Sequence, residues 1–283
     1  MSPEVYIASA VLNLISVILT STFLTVFAIS CPHKPTLNIL VVNLLFALLG
    51  RSVCGFTKSI LTAYEIKSDS HSHKECVFDS IDQSYYYIVI TSTLACLLER
   101  ILMNAGLIWI SMSKTVAIVL AFLAWLPLFL SLYIYFVSER ILYFQVDTGI
   151  YSTGLMSLLT VFLAILYALK TRQLKQVSSR QISLRYELAD TIKNTLPILS
   201  VAVLFSFMSL CHCVLYMVGV TYLKHVVSFG FALYGILVAF VYVFKCSSVL
   251  KPFPNVKKWL FKKPSTKVTP PTFVYDPAYG PLP

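Results

Sequence analysis

The chain has 283 residues, of which 58% are hydrophobic and only 12% charged, with a mean hydropathy of +0.80 and a formal net charge of +10. A soluble domain carries about 25% charged residues, so this composition excludes a water-soluble fold and points to an integral membrane protein. The basic balance is accounted for by membrane topology, as shown below, and nucleic acid is not needed to explain it.

Seven apolar runs are long enough to span a bilayer: Tyr6–Ser30, Leu37–Ala63, Val77–Met103, Thr115–Phe136, Ile150–Leu169, Leu196–Val220 and Val226–Phe244. The start, Met1-Ser2-Pro3-Glu4, has no positive n-region, and the apolar run after it is too long for a cleaved signal peptide. The first run is therefore expected to remain as a membrane helix. No internal repeat is visible, which weighs against a transporter built from duplicated halves.

The second run carries Arg51, 14 residues past Leu37, roughly 21 Å into the span at 1.5 Å per residue. Lys58, further out, is expected to snorkel to the interface. The third run organises the rest. It opens on Cys76, Asp79 and Asp82, crosses Tyr85-Tyr86-Tyr87 and Thr91-Ser92-Thr93, and closes on Glu99-Arg100. Asp79, Asp82, Gln83, Tyr86, Ile90, Thr93, Leu97 and Arg100 recur at helical spacing, so a helix aligns them in one stripe. Asp82 and Arg100 lie 18 residues apart, roughly 27 Å along a helix, close to the thickness of a bilayer core.

Arg51 and Asp82 fall at similar depth, and a lone charge there costs at least ~2.5 kcal/mol, so each needs a partner or a watery cavity. One reading is an ion pair that ties the second and third helices together. The other is an anchor for a ligand in an outer pocket lined by Asp82, Gln83, Tyr85, Tyr86 and Arg51, with Tyr216 and Tyr234 from the last two spans. The two are compatible, because a ligand can intercept the pair. At the other end, Glu99-Arg100 forms a local pair that a conformational change would break, freeing the guanidinium for a partner protein.

The fourth, fifth and seventh spans hold no charged residue and the sixth holds only His212. A small-solute channel or transporter, the alternative class, would want ionisable groups deep in several helices. No catalytic motif is present, so no enzyme is expected, and neither is a cofactor or a metal site. The Cys211-His212-Cys213 triplet reads as apolar packing, because the intervening histidine points to a different face. The seventh span has no lysine that could hold retinal as a Schiff base.

With the amino terminus outside, the inner side holds 16 basic residues against four acids, and the outer side six against eight. That asymmetry follows the positive-inside rule and predicts N-out, C-in. Six of the inner basic residues lie between Lys170 and Lys193, where interspersed Leu174, Val177, Ile182 and Leu184 let the fifth and sixth helices extend into the cytoplasm as a solvated cuff or a docking surface for an acidic partner. Of the seven cysteines, only Cys76 falls in or beside an outer loop, and a disulfide from it would need Cys54 or Cys213. After the seventh span, Phe253, Val256, Trp259 and Leu260 with flanking lysines predict a short interfacial helix on anionic inner-leaflet lipids. Cys246 is a candidate for palmitoylation. A membrane domain of residues 1–263 is thus followed by a Pro-rich, disordered tail, 264–283.

Seven helices, Glu99-Arg100 closing the third, and Leu184-Arg185-Tyr186-Glu187-Leu188 leading into the sixth resemble the nematode serpentine chemoreceptors of the Sra superfamily, with its alpha, alpha/beta and epsilon classes. Glu187 stands where those receptors typically have Gln. The resemblance spans the architecture of nearly the whole chain, and its residue-level motifs cover about ten positions. It implies an all-α, seven-transmembrane fold like that of G-protein-coupled receptors, an odorant-like small-molecule ligand and a heterotrimeric G-protein partner. It also implies coupling at Glu99, Arg100, Arg185 and Tyr186, and residence in the plasma membrane of chemosensory neurons. The level of Asp82 resembles that of the counter-ion in amine receptors, which implies a cationic ligand. The chain lacks the Asn-Pro-x-x-Tyr pattern, the second-helix acid and the outer-loop cysteine of rhodopsin-like receptors.

Overall fold

The computed structural model describes residues 3–30, 35–68, 74–106, 114–138, 146–177, 181–217 and 223–245. These are helical almost throughout, with no strand among them. In chain order they form α1 (Pro3–Ser30), α2 (Pro35–Ser68), α3 (Lys74–Asn104), α4 (Lys114–Ala124), α5 (Leu126–Ser138), α6 (Val146–Gln176), α7 (Ile182–Met217) and α8 (Leu223–Lys245). The expected interfacial helix, Cys246 and the Pro-rich tail lie outside the described residues. So do the side chains of Cys76, Asp79, His212 and Tyr216, although each belongs to a helix.

Among the described residues, five helices hold stretches long and apolar enough to cross a membrane: Glu4–Ser30, Pro35–Tyr64, Ser80–Asn104, Tyr151–Gln176 and Ile182–Cys211. Two further apolar stretches, Lys114–Leu130 and Phe229–Phe244, are shorter. The outer faces suit lipid rather than water. Phe122, Leu158 and Phe207 are each more than 60% exposed, in a belt of apolar side chains that recurs on every helix, α3 giving only Leu98 among its described residues, and is far larger than a soluble surface tolerates. This is an all-α, multi-pass membrane protein.

The fourth apolar run, expected as one helix, is two. Pro127 has no N–H to give to the Leu123 carbonyl, and its ring crowds that carbonyl. α4 therefore ends at Ala124, Trp125 turns with its N–H on the Phe122 carbonyl at 3.0 Å, and α5 begins at Leu126. In α7, by contrast, the helix continues through Pro197. α6 and α7 run well past their apolar cores, to Gln176 and from Ile182, so the basic stretch between the fifth and sixth predicted spans is indeed largely helical.

α3 is the hub. It packs on α2, α4, α5, α6 and α7, while α1 lies against α2 and α8, and α8 returns to α1, α2 and α7. The largest share of any spanning stretch is buried there, 61% against 22% for that of α6. Serine and threonine hydroxyls satisfy themselves on carbonyls one turn back, as Thr93 on Val89 at 2.7 Å and Thr160 on Met156 at 2.7 Å, which removes the cost of an open hydroxyl in hydrocarbon. Asn43 of α2 crosses to Ser92 of α3 at 2.7 Å and accepts from Trp125 Nε1 at 2.7 Å. One amide thus ties the α4–α5 joint to two other helices. Ser16 and Ser52 bond across α1 and α2 at 2.8 Å, and Ser59 donates to Ser9 at 3.1 Å.

Candidate functional site

The α3 stripe faces inward over its described length. Ile90, Thr93, Leu97 and Arg100 are all buried. At one end, Arg51 Nε donates to Asp82 Oδ1 at 3.2 Å and Nη2 to Oδ2 at 3.4 Å. The Asp82 side chain is 18% exposed and that of Arg51 6%, so the acid is the more accessible partner. Depth along two separate helices anticipated this pair, since neither charge is tolerated alone in hydrocarbon.

The sequence did not disclose what lies on the guanidinium's other face. Arg51 Cζ sits 3.5 Å from the centre of the Phe231 ring and 5.8 Å from that of Tyr86. A desolvated contact of this kind contributes about 2 kcal/mol. Phe231 in turn meets Tyr86 at 5.4 Å, Phe205 at 6.1 Å and Tyr234 at 6.2 Å in edge-on arrangements. α2, α3, α7 and α8 therefore converge on one ring. The available signal was arithmetic: a bidentate carboxylate covers one edge of a guanidinium and leaves its face to an aromatic.

Of the residues expected to line an outer pocket, Asp82 and Tyr86 both meet Arg51. Gln83 is half-buried, with its Oε1 enclosed and without a hydrogen-bond partner. Tyr234 is fully buried, with its ring edge-on to Phe205 and Phe231. Tyr85 departs from the expectation. Its ring packs edge-on against Trp125 at 6.0 Å and lies over Gly50, where a Cβ would fall 2.5 Å from Cε1. Adjacent helical residues point about 100° apart, so Tyr85 serves the α2 and α4–α5 packing while Tyr86 serves the Arg51 cluster. Cys54 and Cys213, the two candidate partners for Cys76, are thiols.

At the far end of α3, both Arg100 and Glu99 are buried, and the guanidinium donates through Nε and Nη2 to the neighbouring carboxylate. One turn on, Asn104 Nδ2 donates to the Arg100 carbonyl at 2.7 Å and to Thr195 Oγ1 of α7 at 2.9 Å. Arg100 is thus closed off, with α7 clasped to α3 beside it. Arg185 and Tyr186 stand apart in character: both are exposed at the start of α7, Tyr186 by 77%, and within Leu184–Leu188 only Leu188 is buried. Among the described residues, no group of three or more His, Cys, Asp or Glu could hold a metal ion. No protein-family model matches the chain, and no curated protein matches it.

Proposed function

We propose that the chain is a seven-helix receptor of the plasma membrane, N-out and C-in, that binds a small molecule at the Arg51–Asp82 end and activates a heterotrimeric G protein at the Arg100 end. α4 and α5 together form its fourth span and α8 its seventh. The observation that carries this reading is the placement of a charge pair towards each end of one helix, α3: Asp82 held by the buried Arg51 of α2, and Arg100 held by Glu99, with Ile90, Thr93 and Leu97 between them packed into the core. A rod of this kind, enclosed by α2, α4, α5, α6 and α7, links two membrane surfaces. The protein acts by binding and rearrangement, without catalysing a reaction. A ligand that favours an arrangement with the Arg100 end open shifts the population towards it, and needs only differential affinity for the two arrangements. There Arg100 would leave Glu99, and the exposed Arg185 and Tyr186 of α7 would complete the coupling face, with anionic inner-leaflet lipid beneath.

The resemblance to nematode serpentine chemoreceptors supports a chemosensory role in sensory neurons. The fully enclosed Arg100 and Glu99 favour this reading over a channel or transporter, which would need those charges to line a path. The test is ligand-dependent G-protein activation in a heterologous cell, with a panel of odorant-like molecules. It should be lost in Arg100→Ala while surface labelling of both termini, epitope outside and carboxyl end inside, is retained. Solute flux or ion current from the pure protein in lipid vesicles, with no G-protein response to any panel member, would overturn it.

A further inference from the structure

Thr160 of α6 and Ser206 of α7 share a hydrogen bond at 3.3 Å, which fixes the register of two consecutive helices that pack along each other. The two run in opposite directions. Arg172, 12 residues beyond Thr160, and Lys193, 13 before Ser206, therefore stand at one level, roughly 18–20 Å from that bond at 1.5 Å per residue. Lys175 follows Arg172 on α6 within one turn, and all three side chains are exposed. Rotation decides which side they share. On α6, Val161, Ile165, Arg172 and Lys175 lie about 60–140° round from Thr160, and on α7, Val203, Phe207 and Lys193 lie about 60–140° round from Ser206 in the same sense. An equal turn from the contact line carries both sets to one face of an antiparallel pair. The buried Leu163 and Ile198 turn the other way, into the core, whereas Val161 and Phe207 are each more than 60% exposed, so the shared face is the one that meets lipid.

The level of the cations is that of a membrane surface. Tyr151, 77% exposed at the other end of α6, precedes Arg172 by 21 residues, roughly 31 Å along the helix, and a bilayer core of about 30 Å carries tyrosines at its edges. Arg172 and Lys193 thus mark the opposite edge. Asn104 of α3 reaches Thr195, two residues from Lys193, at 2.9 Å, so this edge is at the Arg100 end of the molecule. Arg172, Lys175 and Lys193 make no ion pair with a described residue, although Glu187 and Asp190 belong to the same end of α7. Open cations directly above an apolar seam suit a molecule with an anionic head and a hydrocarbon body. An acidic peptide would satisfy the cations alone.

We propose that the lipid-facing seam between α6 and α7 is a binding site for an anionic phospholipid. Its headgroup phosphate takes the planar fork of Arg172 and the point charges of Lys175 and Lys193, and an acyl chain lies along Val161, Ile165, Val203 and Phe207. The proposal rests on the receptor reading only for the leaflet, which that reading makes the cytoplasmic one, where anionic lipids are held.

The test uses the full chain without G protein, so that lipid binding and coupling are read separately. The detergent-solubilised protein is titrated with phosphatidylserine or with phosphatidylcholine of the same acyl chains, and bound lipid is counted by native mass spectrometry. Phosphatidylserine should bind several-fold more tightly. Arg172→Gln with Lys193→Gln should bring it down to the level of phosphatidylcholine, while Lys114→Gln, which removes an exposed charge at the start of α4, should leave it unchanged. If the double variant does not fold, Arg172→Gln alone should give a partial loss. An equal loss in Lys114→Gln would overturn the proposal in favour of diffuse attraction to charge. Displacement of the lipid by glycerophosphoserine at equal concentration would overturn it in favour of a soluble phosphate, because the chain would then contribute nothing. Failure on either count leaves the coupling experiment above to judge the receptor reading, and failure of that experiment leaves the lipid result standing.

Discussion

Removing the acid from the Arg51–Asp82 pair is the most direct probe of the molecule. Asp82→Ala strands a guanidinium whose side chain is only 6% exposed. Breaking one side of a buried ion pair costs about 3–5 kcal/mol, because the remaining charge stays desolvated. Two features move the expectation to the lower end. The bonds, at 3.2 and 3.4 Å, are long beside the ~2.8 Å usual for a charge-assisted bond, and the contact with Phe231 persists. A loss of about 3 kcal/mol lowers the thermal midpoint of a protein this size by roughly 6–12 °C. Arg51→Ala should cost less, since Asp82 is the more open partner and regains some hydration. The two changes together should fall short of the sum of the singles by ~1.5 kcal/mol or more, measured as thermal midpoints and as surface expression. The exchange Arg51→Asp with Asp82→Arg should recover part of the expression lost in either single change, and only part, because the guanidinium moves away from Phe231. Strict additivity of the two alanine changes, together with an exchange that recovers nothing, would refute the pairing.

Gly50→Ala should displace Tyr85 from Trp125, since the new methyl would sit 2.5 Å from Tyr85 Cε1, and cost about 1–3 kcal/mol of overpacking; adding Tyr85→Leu should return most of it in the same melting assay. Trp125→Phe takes the donor from Asn43 Oδ1 and should lower stability by about 1–3 kcal/mol through the unsatisfied carbonyl, with Asn43→Leu on that background less harmful than Asn43→Leu alone. On the proposed receptor reading, Glu99→Gln, which weakens the hold on a buried Arg100, should raise ligand-independent G-protein signalling several-fold at equal surface expression. Thr195→Val removes the acceptor of Asn104 Nδ2 and should raise it in the same direction but by less, since the Asn104 bond to the Arg100 carbonyl stays.

Much of this molecule is written one-dimensionally. Membrane residence, the helical runs and the inward stripe of α3 follow from composition and periodicity, because hydrocarbon forces every backbone group into a helix and every charge to one side of it. The Arg51–Asp82 pair was legible for the same reason: two charges at matching depth have few other ways to be tolerated. What composition and spacing do not encode is which neighbour fills each direction around a helix. The division of labour between Tyr85, lying over Gly50 against Trp125, and Tyr86, lying against Phe231, depends on where α2, α8 and the α4–α5 joint come to rest. The same holds for Phe231 beneath the guanidinium and for Asn104 reaching Thr195, partners 180 and 91 residues apart in the chain. Side chains that far apart meet only through packing, and in an apolar belt many residues are interchangeable for lipid while only a few fit a particular helical neighbour, so tertiary structure alone made those choices.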